Sequence, residues 1–216
     1  MASRITIRRL GRQPYGAVYE AMQRFTQSRG PETPDEIWLV EHDPVFTIGK
    51  AHAAHAGASI HGIAVVVVDR GGDVTYHGPG QVVAYPLVDL RRRGLLVRDF
   101  VDILEASVIN TLAGCGIGAL THKDAPGVYV KASGGTGAFA GKAKIASLGV
   151  HVSRGCTYHG LALNVDMDLK PFSYIAPCGY QGLRVTDMRT QGADCTLEAA
   201  CDMVQAHLLE QLERHE

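Results

Sequence analysis

The chain has 216 residues, 46% hydrophobic and 20% charged, with a formal net charge of −1, a length that fits one domain of ordinary globular composition. The balanced charge gives no sign of a nucleic-acid partner. The longest fully apolar run, Ile63 to Val68, is far short of the ~20 residues of a membrane span, and MASRITIRRL lacks the apolar core of a signal peptide, so a cytoplasmic protein with no membrane partner is expected.

Ser3 to Leu10 reads as a first strand. Pro14 to Ser28 follows as an amphipathic helix carrying Ala17, Val18, Ala21, Met22 and Phe25 on one face, stopped by Gly30 and Pro31. Glu36 to Glu41 and Val45 to Ile48 read as two strands joined at the His42-Asp43-Pro44 turn. Ile63 to Val68, β-branched and apolar on both faces, reads as a central strand. In the strand Gln81 to Val88, Pro86 points to an edge or a bulge. Asp99 to Leu112 is a helix capped by Asp99 and ended by Gly114 and Gly116. Val128 to Val130, Lys144 to Val152 and Thr157 to Val165 are strands, and KASGGTGAFAGKA between the first two reads as a flexible surface loop. Thr196 caps a last amphipathic helix to Arg214. Scattered helices among more numerous strands predict a single α/β domain on a mixed β-sheet flanked by helices.

Four segments could carry chemistry. Arg70-Gly71-Gly72-Asp73-Val74-Thr75-Tyr76-His77 follows the apolar strand and runs into Gly78-Pro79-Gly80; adjacent glycines let backbone approach a ligand closely, and the rigid turn is expected to leave Tyr76 and His77 projecting. It is neither a Walker loop nor a dinucleotide turn. Lys144 opens an apolar strand containing Ser147, Leu148 and Gly149. Gly160, Leu161 and Ala162 follow His159 in another. Cys178 sits between Pro177 and Gly179, a turn in which a thiol can be held and exposed. Each alone has an ordinary structural explanation: a Gly-rich hairpin, a solvated strand end, a core strand, a small buried hydrophobe. The five cysteines form no CxxC pair and no disulfide or zinc spacing, so reduced thiols are expected. His52 and His55 are placed like ligands but without an HExxH pattern, and read as a polar loop with no metal.

Taken in order, EHDPVFTIG from Glu41, RGGDVTYHGPGQ from Arg70, PGVYV, KIASLGV, HGLALNVDMDL and PCGY, the chain resembles the lipoyl(octanoyl) transferase family, octanoyl-acyl-carrier-protein:protein N-octanoyltransferases, over most of its length. The resemblance implies a biotin/lipoate protein ligase-like fold, with residues 1–216 as one catalytic domain. It implies that an octanoyl group passes from octanoyl-acyl carrier protein to a lysine of lipoyl domains, in 2-oxoacid dehydrogenase complexes and in the glycine cleavage H protein, without a cofactor. It places the acyl-thioester nucleophile on Cys178 and its activating lysine on Lys144. Substrate contacts fall on Arg70 to His77, Ser147 to Gly149 and Gly160 to Ala162. The loop 131–143 is longer than the family's usual turn and puts Lys142 two residues from Lys144, which fits the motif register.

The residue types suit that chemistry. A free cysteine with pKa ~8.5 is only a few per cent ionised at pH 7, and a neighbouring ammonium favours the thiolate. At ~0.8 kcal/mol per buried methylene, a slot for six methylenes supplies roughly 5 kcal/mol of recognition. His77 either places the thioester or a proton, or holds the turn. Arg91, Arg92, Arg93 and Arg98 form the densest basic cluster, expected to steer an acidic carrier.

Overall fold

The computed structural model describes residues 5–49, 57–176, 180 and 182–214. Strands β1 (Thr6–Gln13), β2 (Glu36–His42), β3 (Val45–Gly49), β4 (Ser59–Ile60), β5 (Ile63–Val68) and β6 (Thr75–His77) are followed by β7 (Gln81–Leu87), β8 (Ala119–Leu120), β9 (Gly127–Lys131), β10 (Lys142–Ser153), β11 (Cys156–Asn164) and β12 (Arg184–Val185). The helices are α1 (Tyr15–Ser28), α2 (Val97–Gly114) and α3 (Leu197–Glu213). The main sheet runs β1-β2-β7-β11-β10-β9-β8, with β12 beside β10; a smaller sheet runs β4-β5-β3-β6. Parallel and antiparallel pairs mix in both sheets, the predicted mixed architecture.

Alternation along the strands explains the layering. On β2, Ile37 and Leu39 face a core shared with Phe100 and Leu104 of α2 and with Val204 and Leu208 of α3. Trp38 and Val40 face the other way, onto Val18 and Met22 of α1. Successive side chains leave a strand on opposite faces, so a strand covered by helices on both sides is apolar throughout. Thr196 caps α3, its hydroxyl accepting from the Ala199 N–H at 3.2 Å, as the sequence predicts.

Several expectations need correcting. β2 and β3 flank the His42-Asp43-Pro44 turn, but they separate there, β2 into the main sheet and β3 into the small one. Ile63 to Val68 lies inside the small sheet, not the main one, with only Val65 and Val68 of its six residues buried. The expected start of the first strand, Ser3 and Arg4, lies outside the described residues, and β1 extends past Leu10 to Gln13. Pro86 sits in mid-sheet: it pairs with Ile37 on β2, while towards β11 the ladder ends at Ala84–Leu161. Beyond that point the Thr157 hydroxyl bridges to β7, donating to the Pro86 carbonyl at 2.8 Å and accepting from the Val88 N–H at 2.9 Å. Asp99 lies inside α2, where its carboxylate accepts from the N–H of Leu96, the residue at the cap, at 2.9 Å. The loop 131–143 contains a 3₁₀ turn, Gly137–Phe139, and Phe139 anchors it, buried with Ala125, Tyr129 and Leu183. Among the described residues no helix is long and apolar enough to cross a membrane.

Candidate functional site

The small sheet and the β10–β11 hairpin enclose a narrow cleft. The segment joining β5 to β6, together with β6, forms one wall, with Arg70, Gly72, Asp73, Val74, Thr75 and His77; the hairpin forms the other, with Ser147, Leu148, Gly149, Gly160, Leu161 and Ala162. Pairing of Ser147 with Ala162, Leu148 with Leu161 and Gly149 with Gly160 brings the two hairpin segments side by side. Arg70 is anchored to β3: its Nη2 donates to both oxygens of Thr47 at 2.8 Å. A Cβ on Gly149 would stand 2.9 Å from Arg70 Cδ and 3.0 Å from the Gly71 carbonyl, so only glycine lets the Arg70–Gly71 segment lie on β10. The Gly71 N–H then donates to the Val150 carbonyl at 3.0 Å.

Of the other predicted contacts, Gly71 lines a second cleft that adjoins the first through Gly72, Leu148 and Gly149. Tyr76 and His77 do not project. Both are buried, and strand alternation turns Tyr76 into the small sheet's core against Phe46 and Phe172, with ring centroids 5.4 and 5.5 Å away.

The cleft also has a floor of buried rings, Tyr15, His77, Tyr85 and His159. His77 Nδ1 bonds to Gln81 Oε1 at 2.8 Å, which makes Nδ1 the protonated nitrogen and leaves Nε2 an acceptor. Burial and the neighbouring His42 push its pKa down to about 3, so the ring is neutral near pH 7. His42 accepts from the Tyr85 hydroxyl at 2.8 Å and donates to the Gln13 carbonyl at 2.9 Å. His159, lowered by burial, meets Asp69 Oδ1 through Nε2 at 3.0 Å and lies 3.4 Å from the Tyr15 hydroxyl through Nδ1. Burial opposes the Asp69 charge, yet hydrogen bonds from His159, Tyr158 and Tyr19 outweigh it and hold the carboxyl well below the usual range.

Lys144 occupies the third position of β10 and is 1% exposed. Its Nζ donates to the Pro126 carbonyl at 3.1 Å and stands 5.3 Å from the centroid of the Tyr129 ring, a polar and a π partner that both suit an ammonium. Gly127, with φ of +143, makes the room: a Cβ there would stand 2.4 Å from Lys144 Cε. The second cleft opens beside this group, lined by Asp124, Ala125 and Pro126 on one side and by Val101, Leu148, Val150 and Tyr180 around it. Tyr180 is tied down there, donating to the Asp124 carbonyl at 3.2 Å and packing on Phe139 at 4.9 Å. Lys142, at the start of β10, is half-buried.

Cys178, with Pro177 and Gly179, lies outside the described residues, as do His52 and His55. Burial raises the thiols of Cys156 and Cys201, and pushes that of Cys195 up to about 11. The basic cluster is divided: Arg92 and Arg93, together with Arg29, converge on Asp35, which is 0% exposed. Arg93 also reaches α3, donating from Nη1 to the Leu212 carbonyl at 3.2 Å. Arg91 and Arg98 remain on the surface and Arg92 stays exposed while paired to Asp35, so of the expected docking charge only Arg93 is buried.

Sequence reasoning missed Tyr15, Asp69, Tyr85, Glu105 and Gly127 as parts of this neighbourhood, and treated His159 only as a strand entry. A signal existed for two of them. Tyr85 and His159 are polar rings inside strands buried at every position, where an apolar residue is the default.

The family model for the lipoyl protein ligase A/B catalytic domain matches residues 15–209. A curated octanoyltransferase of Aeromonas hydrophila is 52% identical over 207 residues, covering 96% of this chain and 88% of the relative. One from Cellvibrio japonicus is 57% identical over 180 residues, 83% of this chain and 79% of the relative. Among solved structures, a bipartite lipoate protein ligase studied with its E2 lipoyl domain, from Thermoplasma acidophilum, superposes with a TM-score of 0.74 at 16% identity, over 97% of this chain and 84% of the other. The biotin protein ligase of Aquifex aeolicus gives 0.53 at 11% identity, over 98% and 70%. These two likenesses carry the fold, and it is the expected one.

Proposed function

This chain belongs to the lipoyl protein ligase A/B catalytic-domain family, is an acyltransferase by its similarity to octanoyltransferases, and from that premise we propose that it moves an octanoyl group from octanoyl-acyl carrier protein to a lysine of lipoyl domains, through a thioester on Cys178 with Lys144 as acid and base. The observation that carries the proposal is the buried Lys144 amine, set beside a cleft that adjoins a narrow, largely apolar slot. Covalent reach supports the choice of thiol. Cys178 is two residues from Tyr180, hence within about 7 Å of it along the chain, and Tyr180 shares the second cleft with Pro126, the acceptor of the Lys144 hydrogen bond. Cys156, Cys195 and Cys201 have thiols raised by burial, which makes them poor nucleophiles.

The steps balance without a nucleotide. The Cys178 thiolate attacks the carrier thioester, a new C–S bond forms, the carrier's C–S bond breaks, and the Lys144 ammonium protonates the departing thiol. The neutral Lys144 amine then takes a proton from the acceptor lysine as its nitrogen attacks the Cys178 thioester. An amide forms, and thiolate and ammonium are restored. The octanoyl tail lies between the Gly72–Thr75 wall and the hairpin. His77, neutral and fixed by Gln81 on one nitrogen and within 3.5 Å of the Thr47 hydroxyl on the other, forms part of the floor of that slot. The acceptors are lipoyl domains, including those of 2-oxoacid dehydrogenase complexes and the glycine cleavage H protein.

The test mixes the protein with octanoyl carrier protein and an apo lipoyl domain, free of nucleotide, and follows the intact masses of all three. Octanoylated lipoyl domain and a transient acyl-enzyme on Cys178 are expected. A strict ATP requirement, with free octanoate as the better donor, would overturn the proposal in favour of a ligase.

A further inference from the structure

One peptide group in this site is held at both ends. The carbonyl of Pro126 accepts from Lys144 Nζ at 3.1 Å. The N–H of the same unit, belonging to Gly127, donates to Glu105 Oε1 at 2.9 Å. Lys144 and Glu105 are 1% and 8% exposed. A planar, polarisable unit thus meets an ammonium at its oxygen and a carboxylate at its hydrogen, an arrangement in which each charge-assisted bond strengthens the other.

The surroundings are built for this contact. Glu105 stands in mid-α2 beside Ile103, Leu104 and Val108, all in the main core, where a carboxylate has no packing advantage. Burial raises its pKa, opposed by the Gly127 N–H and by the charge of Lys144. The other charged groups nearby are Asp102 on α2, which acts on Glu105, and the exposed Asp124 on the turn before Pro126. β9 contributes the Tyr129 ring, and the Thr186 N–H after β12 donates to the Lys144 carbonyl at 2.9 Å.

We propose that Glu105 is a positioning residue for Lys144, acting through the Pro126–Gly127 peptide: it fixes the carbonyl that orients Nζ and supplies the negative charge that keeps an ammonium favourable in a closed site. The proposal rests on the reading of Lys144 as the acid and base of transfer. Glu105 works by placement and by field, and the two are separable. Glu105→Gln retains an acceptor for the Gly127 N–H and removes the charge. Glu105→Asp retains the charge and withdraws it by one methylene.

The experiment measures kcat for octanoyl transfer and iodoacetamide labelling of Cys178, each against pH, in the full chain and in both variants, with thermal unfolding to verify folding. In Glu105→Gln the alkaline limb of kcat moves to lower pH by about one unit, because the ammonium is less favoured. Lys144→Met moves labelling of Cys178 to higher pH, because the ammonium that favours the thiolate is gone. Glu105→Asp keeps both limbs near their original pH and lowers kcat several-fold. If Glu105→Gln fails to fold, the Glu105→Asp result alone decides: unaltered kcat and limbs overturn the proposal. Superimposable profiles for Glu105→Gln and the unsubstituted protein, while Lys144→Met has lost transfer, overturn it too. Undiminished transfer by Lys144→Met instead overturns the assignment of Lys144, whatever Glu105 does.

Discussion

Asp35 and Lys144 are both charged side chains closed off from solvent, at 0% and 1% exposure, and their surroundings follow opposite plans. Asp35 receives three guanidinium groups, from Arg29, Arg92 and Arg93, and the N–H of Asp89 at 2.9 Å. Burial works against its charge, but the Asp89 N–H and the guanidinium bonds prevail, and its pKa lies below the ordinary carboxylate value. That is a structural knot, in which three donors meet Oδ1 and Arg93 meets Oδ2. Among the described contacts Lys144 meets a carbonyl, a ring face and, one peptide away, a carboxylate, and Pro126, whose carbonyl accepts from it, lines an open cleft. Burial of charge does not by itself mark a site; a cleft beside the charged group does.

Substitution should separate the two plans. Lys144→Met and Cys178→Ser are expected to lower transfer by about a thousandfold or more. Because Met is apolar and of similar length, and the Glu105 carboxylate keeps its Gly127 N–H, the Lys144 variant should lose less stability than Asp35→Asn. A large fall in its melting temperature would make Lys144 a structural charge like Asp35. Asp35→Asn should do the reverse: it leaves buried guanidinium charge without its anion, destabilising the fold by about 3–5 kcal/mol, while transfer per folded molecule stays unchanged.

Acid titration sharpens the same contrast. Because the folded pKa of Asp35 is lowered, its contribution is fully present above the unfolded value of ~3.9 and is lost as pH falls from there through the folded value. Denaturant unfolding of Asp35→Asn should lack that acid-limb decline; an unchanged slope would mean the knot is not linked to folding. Smaller effects belong to the surface. Arg98→Glu should slow the acylation step about threefold at low salt and less at high salt, and no salt dependence would remove Arg98 from docking. Lys142→Met should leave transfer within about twofold, since half-buried Lys142 lies outside the Pro126–Gly127 contact; a loss matching that of Lys144→Met would shift the base by two positions.

The sequence made the strands of both cleft walls legible, because buried strands are apolar runs and the segments at 70–77, 147–149 and 160–162 are dense in residues that tolerate close approach. It could not reveal which sheet each strand joins. The turn after His42 looks the same whether β3 returns to β2 or departs from it, and only distant partners decide. Period two, applied to Thr75-Tyr76-His77, separates Tyr76 from its neighbours once one face is known to line a cleft. Pro86 misleads because the ladder towards β11 ends before it and a hydroxyl on a strand about seventy positions away bridges to its carbonyl. The Arg91–Arg93 run looks like surface charge because Asp35 is far from it in the chain. Lys144 looks like a solvated strand end until Gly127 and Glu105 are seen to enclose it.

The reach of Arg93 to Leu212 has a consequence for synthesis. The two residues are 119 positions apart, so at ~5–20 residues per second a ribosome delivers the second on the order of ten seconds after the first. For that interval the nascent chain can gather Asp35 with its three arginines but not fasten the knot to α3. Val204, Leu208 and Leu212 are then also missing from the core they share with Ile37, Leu39 and Leu104, and that face of the sheet is wet. The last helix is therefore the latch of the fold, and a translational pause just before Thr196 would hold the chain in its stickiest state.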